Sequence, residues 1–79
     1  MQPITTPRQI GAALQSRRKS LDLTQQQVAS KLGISQNRLS VLESRAATLT
    51  LEQLLALLNI LGLEMRIGEQ STGKQKVEW

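Results

Sequence analysis

The chain has no cysteine, no histidine and a single aromatic residue, Trp79, among its 79 residues. Without cysteine, neither a disulfide nor a thiolate metal site can stabilise it. Without histidine, it lacks the commonest metal ligand and the commonest general base. Its six acidic residues are scattered, and no glycine-rich phosphate loop is present. We therefore expect no enzymatic activity, no metal site and no cofactor.

Long apolar runs are missing as well. No stretch approaches the roughly 18 apolar residues that span a membrane, and the N-terminus lacks the apolar segment of a secretory signal. We therefore expect a cytoplasmic protein. A single domain of this size has a marginal core, so oligomerisation is the stabilising device that remains. The net charge of +4 suits a nucleic-acid partner, although many small proteins are basic without one.

The most informative segment of the chain runs from residue 23 to residue 43. Thr24 and Gln27 form a capping box at the start of one helix, and Ser35 can cap the start of the next. Between these helices, Gly33 can adopt the left-handed conformation that ends a helix and turns the chain. The pattern predicts a helix-turn-helix motif, whose second helix enters the major groove of DNA.

Further signals place a helix on each side of this motif. A capping box at Thr6 opens the first helix, and another at Thr50 opens a leucine-rich helix that Gly62 ends. The prediction is an all-α fold with four main helices. Because the leucines of the last helix cover more than one face, that helix is either enclosed by its own domain or shared with a second subunit.

The short segment 63–67 alternates apolar with charged residues, a pattern typical of a half-buried strand. No other segment alternates in this way, so we expect it to pair with the same strand of a second copy across a two-fold axis. The alternative is a short extended tail. The predicted dimer contacts are Leu63, Met65 and Ile67. Residues 1–5 are then a mobile arm, residues 6–67 the DNA-binding and dimerisation domain, and residues 68–79 a disordered polar tail.

Polar side chains on the second helix of the motif are candidates for contacts to DNA. Gln36 can pair with the N6 and N7 edge of adenine, and Arg38 can reach a guanine edge or a phosphate. The predicted base-reading residues are Ser35, Gln36, Asn37 and Ser40. At a helix N-terminus such as that of Gln25, backbone amides favour a phosphate. The predicted contacts to the DNA backbone are Gln25, Lys31, Arg38 and Arg45. For each residue alone, the alternative is an ordinary polar surface position.

Residues 6–63 resemble the Xre or lambda-repressor-like helix-turn-helix family. The resemblance rests on three short stretches, Leu23-Thr24-Gln25, Leu32-Gly33-Ile34-Ser35-Gln36 and Leu42-Glu43. Within the family, the chain looks most like the HipB-type antitoxins. That narrower resemblance rests on Thr6-Pro7, the short loop before Thr50, the strand-like segment 63–67 and the tail that ends in Glu78-Trp79.

The resemblance implies a homodimer that binds a palindromic operator in its own promoter and holds a HipA-type serine/threonine kinase toxin inactive. It also implies a structural ion pair between Arg18 and Glu43. The family includes a variant in which a third small protein shares the neutralising role. Arg17 departs from the family, which usually has an apolar residue there. If the tail orders on binding, Trp79 can anchor it in a pocket of the toxin; the alternative is a terminal residue without a role.

Two other functions compete with that of an antitoxin. One is a stand-alone or prophage repressor of the same fold without a toxin partner. The other is a helical adaptor that binds only proteins. Gln25 and Gln36 together on a helix-turn-helix frame disfavour the adaptor.

Overall fold

The computed structural model describes residues 3–69 and consists of α-helices joined by short turns. The helices are α1 (Pro7–Ser20), α2 (Gln25–Leu32), α3 (Gln36–Ser44) and α4 (Leu51–Ile60), and a short 3-10 helix, Ala46–Thr48, joins α3 to α4. The predicted all-α fold of four main helices is confirmed. Within residues 3–69, no helix is long and apolar enough to cross a membrane.

Local hydrogen bonds set the helix boundaries. All three predicted capping boxes form, at Thr6, Thr24 and Thr50. In each, the side-chain oxygen of the glutamine three residues later accepts a hydrogen bond from the cap backbone N–H. The hydroxyl of Ser35 accepts a hydrogen bond from a backbone N–H in the first turn of α3, at 3.1 Å. Gly33 ends α2 in the left-handed conformation, with φ of 80°. The unit of α2, turn and α3 is therefore determined largely by neighbouring residues.

An aliphatic core holds the four helices together. Its largest fully buried side chains are Leu39, Leu42, Leu57, Leu61 and Val28. Helix α2 packs against α3 and α4, while α1 packs against α3 and the 3-10 helix. Helix α3 is thus supported from its inner side by both α1 and α2, and its outer side faces solvent.

Residues 63–69, which follow α4, form neither helix nor strand in the single chain. Leu63 is partly buried against the core of its own chain, which the sequence pattern did not indicate. Met65 and Ile67 are 45% and 93% exposed. The predicted strand pairing involves a second chain, so it stays a prediction.

Candidate nucleic-acid interface

Helix α3 presents polar side chains to solvent. Its buried side consists of Leu39 and Leu42, with the partly buried Glu43 beside them. All its other side chains are exposed; they are Gln36, Asn37, Arg38, Ser40, Val41 and Ser44. At 3.6 residues per turn, Asn37, Ser40 and Ser44 lie opposite the buried leucines. All six exposed side chains form the surface that we name the α3 outer face. Its polarity suits the major groove of DNA, which admits an α-helix.

Two serines at the ends of α3 already make hydrogen bonds within the chain. Ser35 caps the helix with its hydroxyl oxygen, as described above. The hydroxyl of Ser44 donates to the backbone carbonyl of Ser40 at 3.0 Å and to that of Val41 at 3.3 Å. The capping bond occupies an acceptor site of Ser35, although its hydroxyl hydrogen can still be donated. Among the predicted base readers, Gln36, Asn37 and Ser40 therefore offer the most direct donors and acceptors.

A buried carboxylate, Glu43, lies behind the α3 outer face. One of its oxygens, Oε2, accepts a hydrogen bond from Arg18 Nε at 2.8 Å, and Oε1 accepts one from Arg18 Nη2 at 3.3 Å. The side chains of Arg18 and Glu43 are only 9% and 6% exposed. The remaining terminal nitrogen of Arg18, Nη1, donates to the carbonyl of Leu23 at 2.9 Å. Arg18 and Glu43 thus form the ion pair that the family resemblance implied, and it joins α1 to α3.

The same carboxylate also binds Gln25, at the start of α2. Gln25 Nε2 donates to Glu43 Oε1 at 3.0 Å. An amide nitrogen carries two hydrogens, so one is used here and the second can be donated to a phosphate. Within residues 3–69, every buried polar side-chain atom has a hydrogen-bond partner. The Arg18–Glu43–Gln25 network therefore fixes the N-terminus of α2 relative to α3 without leaving a buried charge uncompensated.

The predicted backbone-contacting cations lie on α3 or on the segments next to it in the chain. Lys31 lies in the last turn of α2, Arg38 in the first turn of α3, and Arg45 directly after α3. All three side chains are exposed. Cations arranged around a polar helix face suit the phosphates on either side of a groove.

Arg17, the residue that departs from the family pattern, makes a contact that sequence reasoning did not identify. Its Nε donates to the backbone carbonyl of Leu61 at 2.9 Å, immediately after α4. The last carbonyls of a helix lack partners within the helix and carry partial negative charge, so a guanidinium there is favourable. Arg17 therefore ties the C-terminal end of α4 to α1.

Gly11 is a second feature that was missed. It is buried in α1, and a Cβ atom built on it would overlap the backbone carbonyl oxygen of Glu43 and lie 3.4 Å from the Cβ of Ala46. The available signal was a lone glycine inside an otherwise helical pattern, which indicates close packing when it has a structural reason.

One predicted feature, the toxin contact, cannot be placed by this geometry. Trp79, the predicted toxin contact, lies outside residues 3–69. Across the described part of the chain, acidic residues form no cluster that could hold a metal ion.

Comparison with known proteins gives one family and several solved structures. The helix-turn-helix family HTH_3 matches residues 14–67. A chain of the HipA-HipB-O2-O3 complex is 30% identical, has a TM-score of 0.81, and is matched over 90% of this chain and 100% of its own length. A chain of the HipB-O1-O2 complex is also 30% identical, with a TM-score of 0.79 and coverage of 87% and 100%. A structure named MDT Protein is 30% identical, has a TM-score of 0.79, and is matched over 87% of this chain and 97% of its own length. No protein of curated function matches the chain.

Proposed function

Because this chain belongs to the helix-turn-helix family and is a HipB-type member of it, we propose that it represses its own operon and neutralises a HipA-type serine/threonine kinase. The family consists of DNA-binding regulators, so the chain is a DNA-binding protein and not an enzyme. The observation that carries the proposal is the solvent-exposed α3 outer face held by the buried Arg18–Glu43–Gln25 network, in a chain that spans the full length of its HipB-complex neighbours.

In the proposed complex, α3 lies in the major groove. Gln36, Asn37 and Ser40 contact base edges, and Ser35 adds the hydroxyl hydrogen that its capping role leaves available. The exposed cations Lys31, Arg38 and Arg45, together with the second amide hydrogen of Gln25, bind phosphates on either side. The acidic Glu43 faces inward, so its charge does not oppose the DNA.

Replacing Gln36 by alanine is expected to weaken operator binding by about 1–3 kcal/mol and to relax discrimination at one symmetric base pair. Binding to random DNA should be unchanged, since its affinity comes from phosphate contacts. Arg45→Ala is the matched control: it should weaken operator and random DNA alike and lower the salt slope by about one. Titration of both duplexes at several salt concentrations measures these quantities. Equal losses on both duplexes for Gln36→Ala would contradict base reading.

An apolar surface on α4 and the following segment supports the homodimer. Leu51 and Leu55 stand one turn apart on α4 and are 66% and 43% exposed. Beyond α4, Glu64 and Arg66 contact each other at 2.9 Å. Met65 and Ile67 of the same segment are also exposed, at 45% and 93%. A second copy would cover this surface, and a two-fold axis matches a palindromic operator with half-sites about 34 Å apart.

The proposed kinase site lies away from the α3 outer face, so that one dimer holds DNA and toxin together. The surface of α1 and the part of α4 that the dimer leaves uncovered are available for it, and the contact of Trp79 with the toxin is part of this proposal on sequence grounds alone. The second candidate function, a repressor without a toxin, shares every DNA contact and differs only in lacking the kinase.

A gel-shift titration with the purified HipA-type kinase tests the antitoxin function. We expect a slower band that contains operator, dimer and kinase, and loss of kinase autophosphorylation at the same stoichiometry. Gln36→Ala is the matched control, because it should still bind and inhibit the kinase while binding the operator more weakly. Release of the operator on kinase addition would contradict separate surfaces. Absence of any kinase complex would favour the stand-alone repressor.

A further inference from the structure

One side chain on the α3 outer face is apolar. Val41 is 40% exposed and lies one turn after Asn37, so it shares that residue's side of the helix. The other large exposed hydrophobic side chains within residues 3–69 all lie outside α3; they are Ile4, Leu21, Leu51, Leu55, Met65 and Ile67. Val41 is therefore the one large apolar contact that the described part of α3 can offer to a bound groove.

The polar groups around Val41 leave this part of the face with little hydrogen-bonding capacity. The hydroxyl of Ser44, the next exposed residue along α3, already donates to the carbonyls of Ser40 and Val41. Such back-bonding removes the hydroxyl hydrogen from use by a ligand. Gln36, Asn37 and Ser40 can thus form directed hydrogen bonds, whereas the part of the face beyond Ser40 presents the two methyl groups of Val41 and only the acceptor oxygen of Ser44.

We infer that Val41 is a specificity-determining residue that contacts the C5-methyl group of a thymine in each operator half-site. In the major groove, the methyl group of thymine is the apolar feature of the base-pair edges, and apolar side chains recognise it by contact. A cytosine at that position has no methyl group for Val41 to contact, and it carries a polar amino group on the neighbouring C4, whose desolvation without a hydrogen bond is unfavourable. This inference rests on the proposed placement of α3 in the major groove.

The test removes the methyl group from the DNA. Duplexes that wild-type protein selects from a random-sequence pool are resynthesised with deoxyuridine at each thymine in turn, symmetrically in both half-sites. At one position we expect wild-type affinity to fall about 4-fold per half-site and about 15-fold for the pair, since burial of one methyl group is lost. Val41→Ala, which lacks the two γ-methyl groups, should bind the uracil duplex about as well as wild type does and should lose most of the preference for thymine.

Val41→Ala should not lose DNA affinity through unfolding, because alanine is a better helix former than valine at an exposed position. Leu21→Ala is the matched control: Leu21 is also 40% exposed but lies after α1, so this variant should keep the full methyl sensitivity. If wild type tolerates uracil at every position, or if Val41→Ala retains the sensitivity, the inference is wrong while operator binding stands. If wild type selects no sequence at all, the proposed operator recognition fails together with it.

Discussion

Glu43→Ala is expected to lower the free energy of unfolding by about 3–5 kcal/mol, because it leaves the buried guanidinium of Arg18 without its counter-charge. Arg18 as a whole residue is 7% exposed, so little water reaches its guanidinium in the folded protein. Gln25 loses its hydrogen-bond acceptor in the same change. Urea unfolding followed by circular dichroism measures the loss.

Two control variants separate burial from charge. The ion pair between Glu64 and Arg66 has a similar length, 2.9 Å, but its side chains are 72% and 83% exposed, so Glu64→Ala should cost less than about 1 kcal/mol. The double variant Arg18→Met with Glu43→Met removes both charges, and it should be more stable than Glu43→Ala because no unpaired charge stays buried. A Glu43→Ala protein as stable as wild type would show that water reaches Arg18.

Operator binding gives a second readout for Glu43. Its carboxylate lies behind the α3 outer face, so we expect Glu43→Ala to lose DNA affinity mainly through its unfolded fraction and through the released Gln25. At low temperature, with affinity corrected for the folded fraction, the remaining loss should resemble that of Gln25→Ala. A larger corrected loss of affinity would indicate that Glu43 itself contacts the operator DNA.

Features that depend on adjacent residues could be predicted from the sequence. The capping boxes at Thr6, Thr24 and Thr50 and the left-handed Gly33 involve partners within four residues, so residue types and spacing determine them. The α3 outer face followed from the same local logic, since helical periodicity separates Leu39 and Leu42 from the polar positions. The partners Arg18 and Glu43 are 25 residues apart and were identified only through the family resemblance.

Features that depend on how the helices cross could not be predicted. The bond from Arg17 to the Leu61 carbonyl spans 44 residues, and no local pattern specifies which carbonyl a cation reaches. Leu63 fitted the alternation of a strand, yet it packs on its own core. Val41 stands between Ser40 and Leu42 in the sequence, and its exposure on α3 distinguishes it from a core valine. Each of these depends on interhelical distances that periodicity leaves undetermined.

The crossing of α1 and α3 at Gly11 is the clearest example, because local preference and tertiary packing oppose each other there. In an isolated helix, alanine is more favourable than glycine by about 1 kcal/mol. In this fold, the added Cβ would overlap the carbonyl oxygen of Glu43. That atom belongs to the backbone of α3, so it cannot move aside as the end of a flexible side chain would.

Gly11→Ala is therefore expected to destabilise the protein by about 3 kcal/mol, the upper part of the usual range for overpacking, and to lower the melting temperature by about 12–24 °C. Operator affinity should fall as well, since α3 must shift away from α1 and strain the pair of Arg18 and Glu43. Thermal unfolding and operator titration measure the two effects.

Other glycines provide the comparison for Gly11→Ala. At Gly33, a Cβ meets nothing within 4 Å. Gly33→Ala should therefore lower stability only because alanine is strained in the left-handed conformation, by about 1–2 kcal/mol. Gly33→Asn should restore part of that stability. At Gly68, which also has open space around it, alanine should have little effect.

Adding Ala46→Gly to Gly11→Ala should not restore stability, because the overlap is with the Glu43 carbonyl and not with the side chain of Ala46. A Gly11→Ala protein that melts at or above the wild-type temperature would show that α1 and α3 can separate without cost, and the close crossing would then not be what positions the α3 outer face.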